Sequence, residues 1–134
     1  MSETRWTETR RTETRWSDAE TPIGEMRATI AAFNQERDWA QYHSPRNLAM
    51  ALSVEAAELL ELYLWSSDEG PQPPVESRAP RVAEELADVA ICLLNLAERT
   101  GVDLSAAVAA KLARNAEKYP VAQSRGRLEK STEL

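Results

Sequence analysis

The spacing of apolar residues is the feature that most restricts the fold of this chain. Apolar positions recur at intervals of three and four residues in four long segments, as they do on one face of an α-helix. No run shows the alternation of apolar and polar residues that marks a half-buried β-strand. The sequence therefore predicts an all-α fold, a bundle of four main helices.

Capping signals predict the limits of the first two helices. Thr21 and Ser44 each stand directly before a proline, a pair of residues typical of a helix N-terminus. Helix one is predicted from Thr21 to about Trp39, and helix two from Ser44 to about Trp65.

Helix breakers and caps predict the other two helices. Residues 66–80 contain one glycine and four prolines, the composition of a loop. Helix three is expected to follow from about Arg81 to Thr100, where Gly101 would end it. Asp103 is a predicted N-cap for helix four, which should end where Tyr119 meets a proline.

The two termini look different from the helical part. Residues 1–20 contain a five-residue repeat, "ETRWT", "ETRRT", "ETRWS", with too little apolar content to form a core, and we expect a disordered tail. Trp6 and Trp16 within the repeat favour either a docking segment or an idle extension. The helical domain is predicted at residues 21–120, followed by a C-terminal tail at 121–134.

Composition excludes several classes of protein. The chain has 134 residues, the size of one domain, with 22 acidic and 16 basic residues, so we expect no binding to a nucleic-acid polymer. The single cysteine, Cys92, cannot form a disulfide within the chain, and a reducing compartment is expected. No segment is predicted to be a signal peptide or a membrane span. Together these features predict a cytoplasmic protein with no membrane partner.

Glutamates in an apolar helix raise the question of function. Glu55, Glu58 and Glu61 follow one another at three-residue steps in "LSVEAAELLELYLW". Six acidic residues and no basic residue lie between Arg46 and Arg78, so ion pairs one turn away within this helix cannot account for these glutamates. Side chains three residues apart on a helix are neighbours, so Glu55 and Glu58 should present a pair of carboxylates.

A second pair lies in helix three. Glu85 and Asp88 stand in "EELADVAICLLNLA", and apolar residues surround Asp88 on every face of the helix, so we expect that it is not solvated. Two such pairs on antiparallel helices can converge four oxygen ligands on a hard cation, Mg²⁺ or Mn²⁺. A di-iron site is disfavoured because it needs Glu-x-x-His motifs, and His43, the only histidine, does not complete one. For His43 a polar or capping role is the more economical interpretation.

These residues carry a resemblance to a known family. The segments "ERDWAQYHSPRNLAMALSVEAAELLELYLW", "EELADV" and "KLARNAEKYP" resemble the MazG-like all-α nucleoside triphosphate pyrophosphohydrolases, and within them the dCTP pyrophosphatase branch. The resemblance covers about Met26 to Leu134. It implies Mg²⁺-dependent hydrolysis of a nucleoside triphosphate to the monophosphate and pyrophosphate.

The resemblance also assigns roles to individual residues. It implies metal ligands at Glu55, Glu58, Glu85 and Asp88, the same residues that the carboxylate pattern selects. It implies a nucleobase pocket with Trp39 and Trp65, and phosphate and sugar contacts from Lys111, Asn115 and Tyr119. Either Glu58 or Glu61 is expected to take the proton of the attacking water, and these two remain open; Glu61 can instead support the metal ligands from outside.

Two positions depart from the pattern of the dCTP branch. Ile30 stands where relatives have a histidine, and Cys92 where they have a tyrosine; both positions belong to the nucleoside pocket. We expect Cys92 to be either a small buried residue or part of the lining of a pocket for a larger or modified base.

The expected partners are the nucleotide and further copies of the chain. Helices two and three are apolar on more faces than one four-helix unit can bury, so a homodimer or homotetramer is expected. Two alternatives remain: an enzyme of the same superfamily that acts on dUTP or phosphoribosyl-ATP, and a non-catalytic helical adaptor.

Overall fold

The computed structural model of the chain describes residues 16–64 and 75–132, and within these ranges the side chains of all residues except 75–78. Its helices are α1 (Ile23–Glu36), a short 3-10 helix (Trp39–Tyr42), α2 (Pro45–Glu61), α3 (Val75–Thr100), α4 (Leu104–Lys118) and α5 (Val121–Ser124). These ranges contain no β-strand. The prediction of an all-α fold with four main helices is confirmed.

The packing centres on α3. Helix α2 lies along α3 and makes the main helix-to-helix interface, and α1 packs against another part of α3. Leu48 of α2 and Leu94 and Ala97 of α3 are the buried apolar residues of the described chain. Helix α4 packs little against the other helices. The elements that come together most closely are therefore the two that carry the predicted carboxylate pairs.

Two predicted helix caps are confirmed. The Ser44 hydroxyl accepts a hydrogen bond from the Asn47 amide at 3.1 Å, and Pro45 opens α2. The Asp103 carboxylate accepts one from the Ala106 amide at 2.9 Å. Each side chain satisfies an amide that has no partner within its own helix.

The limits of helix one differ from the prediction. Pro22 occupies the N-cap position, and the Thr21 hydroxyl instead accepts from the amide of Ser17, which holds residues 17–21 in a turn. At the other end α1 stops at Glu36, because Asp38 adopts a left-handed conformation (φ 53°) that no α-helix accommodates. Trp39 consequently lies in the 3-10 helix rather than in helix one.

Helix three begins earlier than predicted. It starts at Val75, within the predicted loop, and Pro80 lies inside it. The prediction treated Pro80 as a breaker because proline lacks the amide hydrogen of a helical residue. The ring nevertheless fixes φ close to the helical value, so a helix passes through such a residue with the loss of one hydrogen bond.

Backbone and side-chain hydrogen bonds both stabilise the end of α3. Gly101 has φ 68°, and the Val102 amide donates to the Ala97 carbonyl at 3.0 Å, as in a glycine-terminated helix. The Arg27 guanidinium of α1 donates to the carbonyls of Val102 (2.6 Å) and Ala97 (3.0 Å) and also pairs with Glu98. The predicted end of helix three at Gly101 is confirmed. The contacts of Arg27 join α1 to this end of α3.

No helix in the described ranges combines the length and the apolar character needed to cross a membrane.

Candidate active site

Three carboxylates from two helices meet where α2 lies against α3. Glu55 and Glu58 of α2 and Glu85 of α3 each place one carboxylate oxygen within 4.8 Å of the others. The three-residue spacing on α2 brings Glu55 and Glu58 to neighbouring positions, and the interface with α3 brings Glu85 to them. We call Glu55, Glu58 and Glu85 the carboxylate cluster.

Among the described side chains, no cation is paired with the cluster. No lysine or arginine with a described side chain forms an ion pair with any of the three residues. Partial burial raises the pKa of the Glu55 carboxyl, and the negative charges of Glu58, Asp88 and Glu85 raise it further. The cluster therefore favours uptake of a positive charge, either a proton or a cation.

One oxygen of the cluster fits a metal ligand. Glu85 Oε2 is buried and has no hydrogen-bond partner among the described residues. A buried carboxylate oxygen without a partner is destabilising unless a cation or a proton satisfies it. Oxygen ligands of this kind suit hard divalent cations such as Mg²⁺ and Mn²⁺. The residues present thus fit a divalent cation between α2 and α3.

Asp88 lies close to the cluster, although its surroundings differ from the expectation. Its charge contributes to the raised pKa of Glu55. The expectation that Asp88 is not solvated is wrong for the single chain, because its side chain is exposed. The neighbouring Leu86 (51% exposed) and Ile91 (41% exposed) show that this part of α3 is left uncovered by the other described helices.

Glu61 stands apart from the cluster. It is the last residue of α2, is exposed, and lines a shallow depression together with Glu58 and the apolar residues Val54, Ala57, Leu60 and Leu64. Glu58 therefore belongs to both features, whereas Glu61 belongs to the depression alone.

Cys92 lies between the cluster and the far end of α3. Its thiol is half-buried, and partial burial together with the charges of Glu55 and Asp88 raises its pKa. It thus remains a neutral thiol beside the carboxylates, and the polar group that a tyrosine would supply is absent from this position.

A cavity of about 310 Å³ opens beyond Cys92, between α1, the 3-10 helix and α3. Its apolar walls come from five residues: Trp16, Ile30, Phe33, Trp39 and Ile91. The Phe33 and Trp39 rings meet edge to face with their centroids 5.7 Å apart, and the Arg37 guanidinium lies 3.5 Å from the Phe33 centroid on the outside. The volume and the aromatic walls are typical of a site for a small organic molecule.

The cavity also has polar groups. Asn34, 8% exposed, donates from Nδ2 to Asn95 Oδ1 at 2.7 Å, and Thr29 and His43 complete the polar lining. Asn95 is seven residues beyond Asp88, so it lies on nearly the same face of α3, about 10 Å further along the axis. The carboxylate cluster and the cavity thus follow one another along α3.

Only some of the remaining predicted site residues lie at the cavity or the cluster. Ile30 and Trp39 line the cavity, and their assignment to a nucleoside pocket stays a prediction. Trp65 lies outside the described residues. Lys111 and Asn115 lie in the second half of α4, and Tyr119 comes directly after its end. No described interaction joins these residues to the cluster. Their roles stay predictions.

Several residues that line the cavity were not predicted from the sequence to do so. Trp16 belongs to the predicted tail, and Phe33, Asn34 and Ile91 were not distinguished from ordinary helix residues. Asn34 carried a signal that could have been used: an amide on the apolar side of a helix needs a partner. That partner is Asn95, which is 61 residues away in sequence.

The chain is similar to known enzymes over most of its length. Residues 50–134 match the MazG-like family. The dCTP pyrophosphatase 1 of Bos taurus is 46% identical over 118 residues, which cover 87% of this chain and 70% of the relative. The human protein of the same name is 44% identical over 117 residues, 86% of this chain and 69% of the relative.

A solved structure agrees with the sequence relatives. The crystal structure of a pyrophosphatase from Archaeoglobus fulgidus superimposes with a TM-score of 0.70 at 36% identity, covering 79% of this chain and 99% of the other. The family match covers more than half of the chain, and the relatives share their similarity across the helices that hold the carboxylate cluster and the cavity. The chain therefore belongs to the MazG-like family.

Proposed function

We propose that the chain is a nucleoside triphosphate pyrophosphohydrolase that converts dCTP, or a modified or non-standard nucleotide, to the monophosphate and pyrophosphate. The names of its relatives support the reaction and the substrate. We further propose that Mg²⁺, with Mn²⁺ as a substitute, is the cofactor.

The observation that carries this proposal is the arrangement of the site. A carboxylate cluster that has no basic partner among the described side chains lies beside Asp88, and a cavity with aromatic walls follows it along α3. A nucleoside triphosphate has the same order of parts, with the charged phosphates at one end and an aromatic base at the other. The cluster suits metal-bound phosphates, and the cavity suits the base.

The residues of the cluster have defined tasks in this reaction. Glu55, Glu58, Glu85 and Asp88 would hold the cation, which when bound neutralises phosphate charge and lowers the pKa of water. The attacking water bonds to the α-phosphorus as the bond to the bridging oxygen breaks, and pyrophosphate leaves. Glu58 or Glu61 would take the proton of the water. Because Glu58 lies in the cluster and Glu61 outside it, Glu58 is the better placed of the two.

Helix α4 would supply the contacts to phosphate and sugar. Lys111 and Asn115 are four residues apart and so share one side of α4, and Tyr119 follows directly after its last residue. The Lys111 ammonium would add positive charge at the triphosphate, while Asn115 and Tyr119 would bind the sugar and phosphate oxygens.

We also propose that the chain forms a homodimer or homotetramer. Large apolar side chains are exposed on α2 (Met50, Val54 and Leu60), at Leu64 just after it, and on α4 (Val108 and Leu112). No described side chain is fully buried, which leaves an isolated chain with a small core. Association of copies would cover these surfaces.

A panel of nucleoside triphosphates incubated with Mg²⁺ and scored for pyrophosphate tests the proposal. We expect release of pyrophosphate from dCTP that stops when EDTA removes the metal. If no triphosphate in the panel is hydrolysed, the proposal is wrong and the helical adaptor is favoured.

A further inference from the structure

The polar lining of the cavity raises a question about base selection. Four described residues supply it: Thr29, Asn34, His43 and Asn95. No carboxylate, ammonium or guanidinium belongs to the described lining. A hydroxyl, a neutral imidazole and a primary amide can each both donate and accept hydrogen bonds. None of the described polar groups is therefore restricted to one polarity.

The two asparagines are paired and still have hydrogen-bonding capacity. Asn34 Nδ2 donates to Asn95 Oδ1 at 2.7 Å, and neither amide has another side-chain hydrogen bond among the described residues. One bond leaves Asn34 Oδ1 as an acceptor and Asn95 Nδ2 as a donor. Because Asn34 is only 8% exposed, solvent has little access to its amide, and a ligand in the cavity would be its natural partner.

The pair has a second arrangement that preserves its internal bond. The terminal amide torsion of asparagine is broad and roughly two-fold, so both amides can turn over. Asn95 Nδ2 then donates to Asn34 Oδ1, which leaves Asn34 Nδ2 as a donor and Asn95 Oδ1 as an acceptor. The free donor and the free acceptor exchange places between the two arrangements.

Pyrimidine bases differ in the same way. Cytosine has an amino donor at position 4 beside the N3 acceptor, whereas uracil has a carbonyl acceptor at position 4 beside the N3–H donor. Each arrangement of the amide pair complements one of these edges.

We propose that Asn34 and Asn95 read the base edge of the nucleotide and that, by turning over together, they accept 4-amino and 4-oxo pyrimidines alike. The inference rests on the proposed pyrophosphohydrolase function and specifies its substrate class. Sites built on hydrogen-bonding groups of fixed polarity discriminate by about 10⁴-fold or more. An invertible pair lacks that selectivity, so we expect kcat/KM for dCTP and dUTP to agree within about tenfold.

The test measures kcat/KM for dCTP and dUTP, by pyrophosphate release with Mg²⁺, in the full chain and in two variants. Asn95→Asp and Asn34→Asp each replace an amide by an acceptor of similar shape, which fixes the polarity of the pair. We expect the two variants to shift the ratio of the two kcat/KM values in opposite directions, each by about tenfold or more. The carboxylate that faces position 4 accepts from the cytosine amino group and favours dCTP, whereas the one that faces N3 accepts from uracil N3–H and favours dUTP. Gln35→Glu, an exposed amide-to-acid change next to Asn34, is the matched control and should leave the ratio unchanged.

The outcomes separate this inference from the function on which it rests. If the unmodified chain hydrolyses dCTP but prefers it over dUTP by more than about a hundredfold, the inference is wrong while the function stands. The same conclusion follows if both aspartate variants melt like the unmodified protein and change the two substrates equally. If the unmodified chain hydrolyses no triphosphate, the proposed function itself is wrong.

Discussion

At the scale of residues, the carboxylate cluster determines what the interface of α2 and α3 can do. Partial burial raises the pKa of the Glu55 carboxyl, and the nearby negative charges of Glu58, Asp88 and Glu85 raise it further. The same repulsion should destabilise the folded chain whenever no cation is bound.

Glu58→Gln tests whether the charges that bind the metal also destabilise the metal-free protein. The substitution removes one negative charge, so we expect the metal-free protein to gain stability, by less than about 1 kcal/mol because Glu58 is exposed. The gain in melting temperature on addition of Mg²⁺ should be lost, and pyrophosphate release should fall by about a hundredfold or more. Thermal melting in EDTA and in Mg²⁺, with a turnover assay, measures all three.

Glu84→Gln is the matched control, because Glu84 precedes Glu85 on α3, is exposed and lies outside the cluster. It should alter neither the effect of Mg²⁺ nor turnover. If the Glu58→Gln protein keeps both its stabilisation by Mg²⁺ and its turnover, the cluster is not the metal site.

At the scale of elements, Arg27 is the main polar link between α1 and the end of α3. Its guanidinium donates to two backbone carbonyls, that of Ala97 near the end of α3, which also accepts from the Val102 amide, and that of Val102 just beyond the helix. Arg27→Met should therefore lower the free energy of unfolding by about 2 kcal/mol, measured by urea denaturation. Glu98→Gln should cost less than about 1 kcal/mol, because the Glu98 side chain is 53% exposed. Equal losses in the two variants would show that the ion pair, not the carbonyl contacts, holds the helices.

Trp16 connects the N-terminal segment to the cavity, since its ring forms part of the wall. Trp16→Ala should raise KM for the nucleotide by about three- to thirtyfold and leave kcat nearly unchanged, because a wall residue far from the phosphates binds substrate and transition state equally. Trp16→Phe should restore most of the binding. Steady-state kinetics of both variants checks this, and a fall in kcat at constant KM would contradict it.

The elements also show which parts of the structure were predictable. Ser44, Asp103 and Gly101 act on residues within a turn of themselves, so the sequence predicts their roles correctly. The cluster was predictable because the absence of basic neighbours on α2 shows in the sequence. The cavity was predictable only in part. The family resemblance implied pocket positions at Ile30 and Trp39, whereas the pair Asn34 and Asn95 forms only because α1 and α3 meet across 61 residues of sequence.

At the scale of the whole molecule, exposed apolar surface is the dominant feature. Leu60 of α2 is 68% exposed and Leu112 of α4 is 63% exposed, and both belong to helix faces that the described chain leaves uncovered. Faces of this kind usually mark interaction surfaces.

Light scattering during size-exclusion chromatography should therefore report a mass of at least two chains. Leu112→Glu should shift the protein towards smaller species, because a charge would be buried at the interface between copies. Ser105→Glu, which adds the same charge at an exposed polar position of α4, should leave the mass unchanged. A monomer at micromolar concentration would contradict the proposed assembly.

In the proposed reaction the carboxylate cluster directs water to the α-phosphorus of a nucleoside triphosphate. Mass spectrometry of the products formed from dCTP and Mg²⁺ in ¹⁸O-labelled water tests this step. We expect dCMP and pyrophosphate, with one labelled oxygen on dCMP and none on pyrophosphate. Label on pyrophosphate, or formation of dCDP and phosphate, would contradict it.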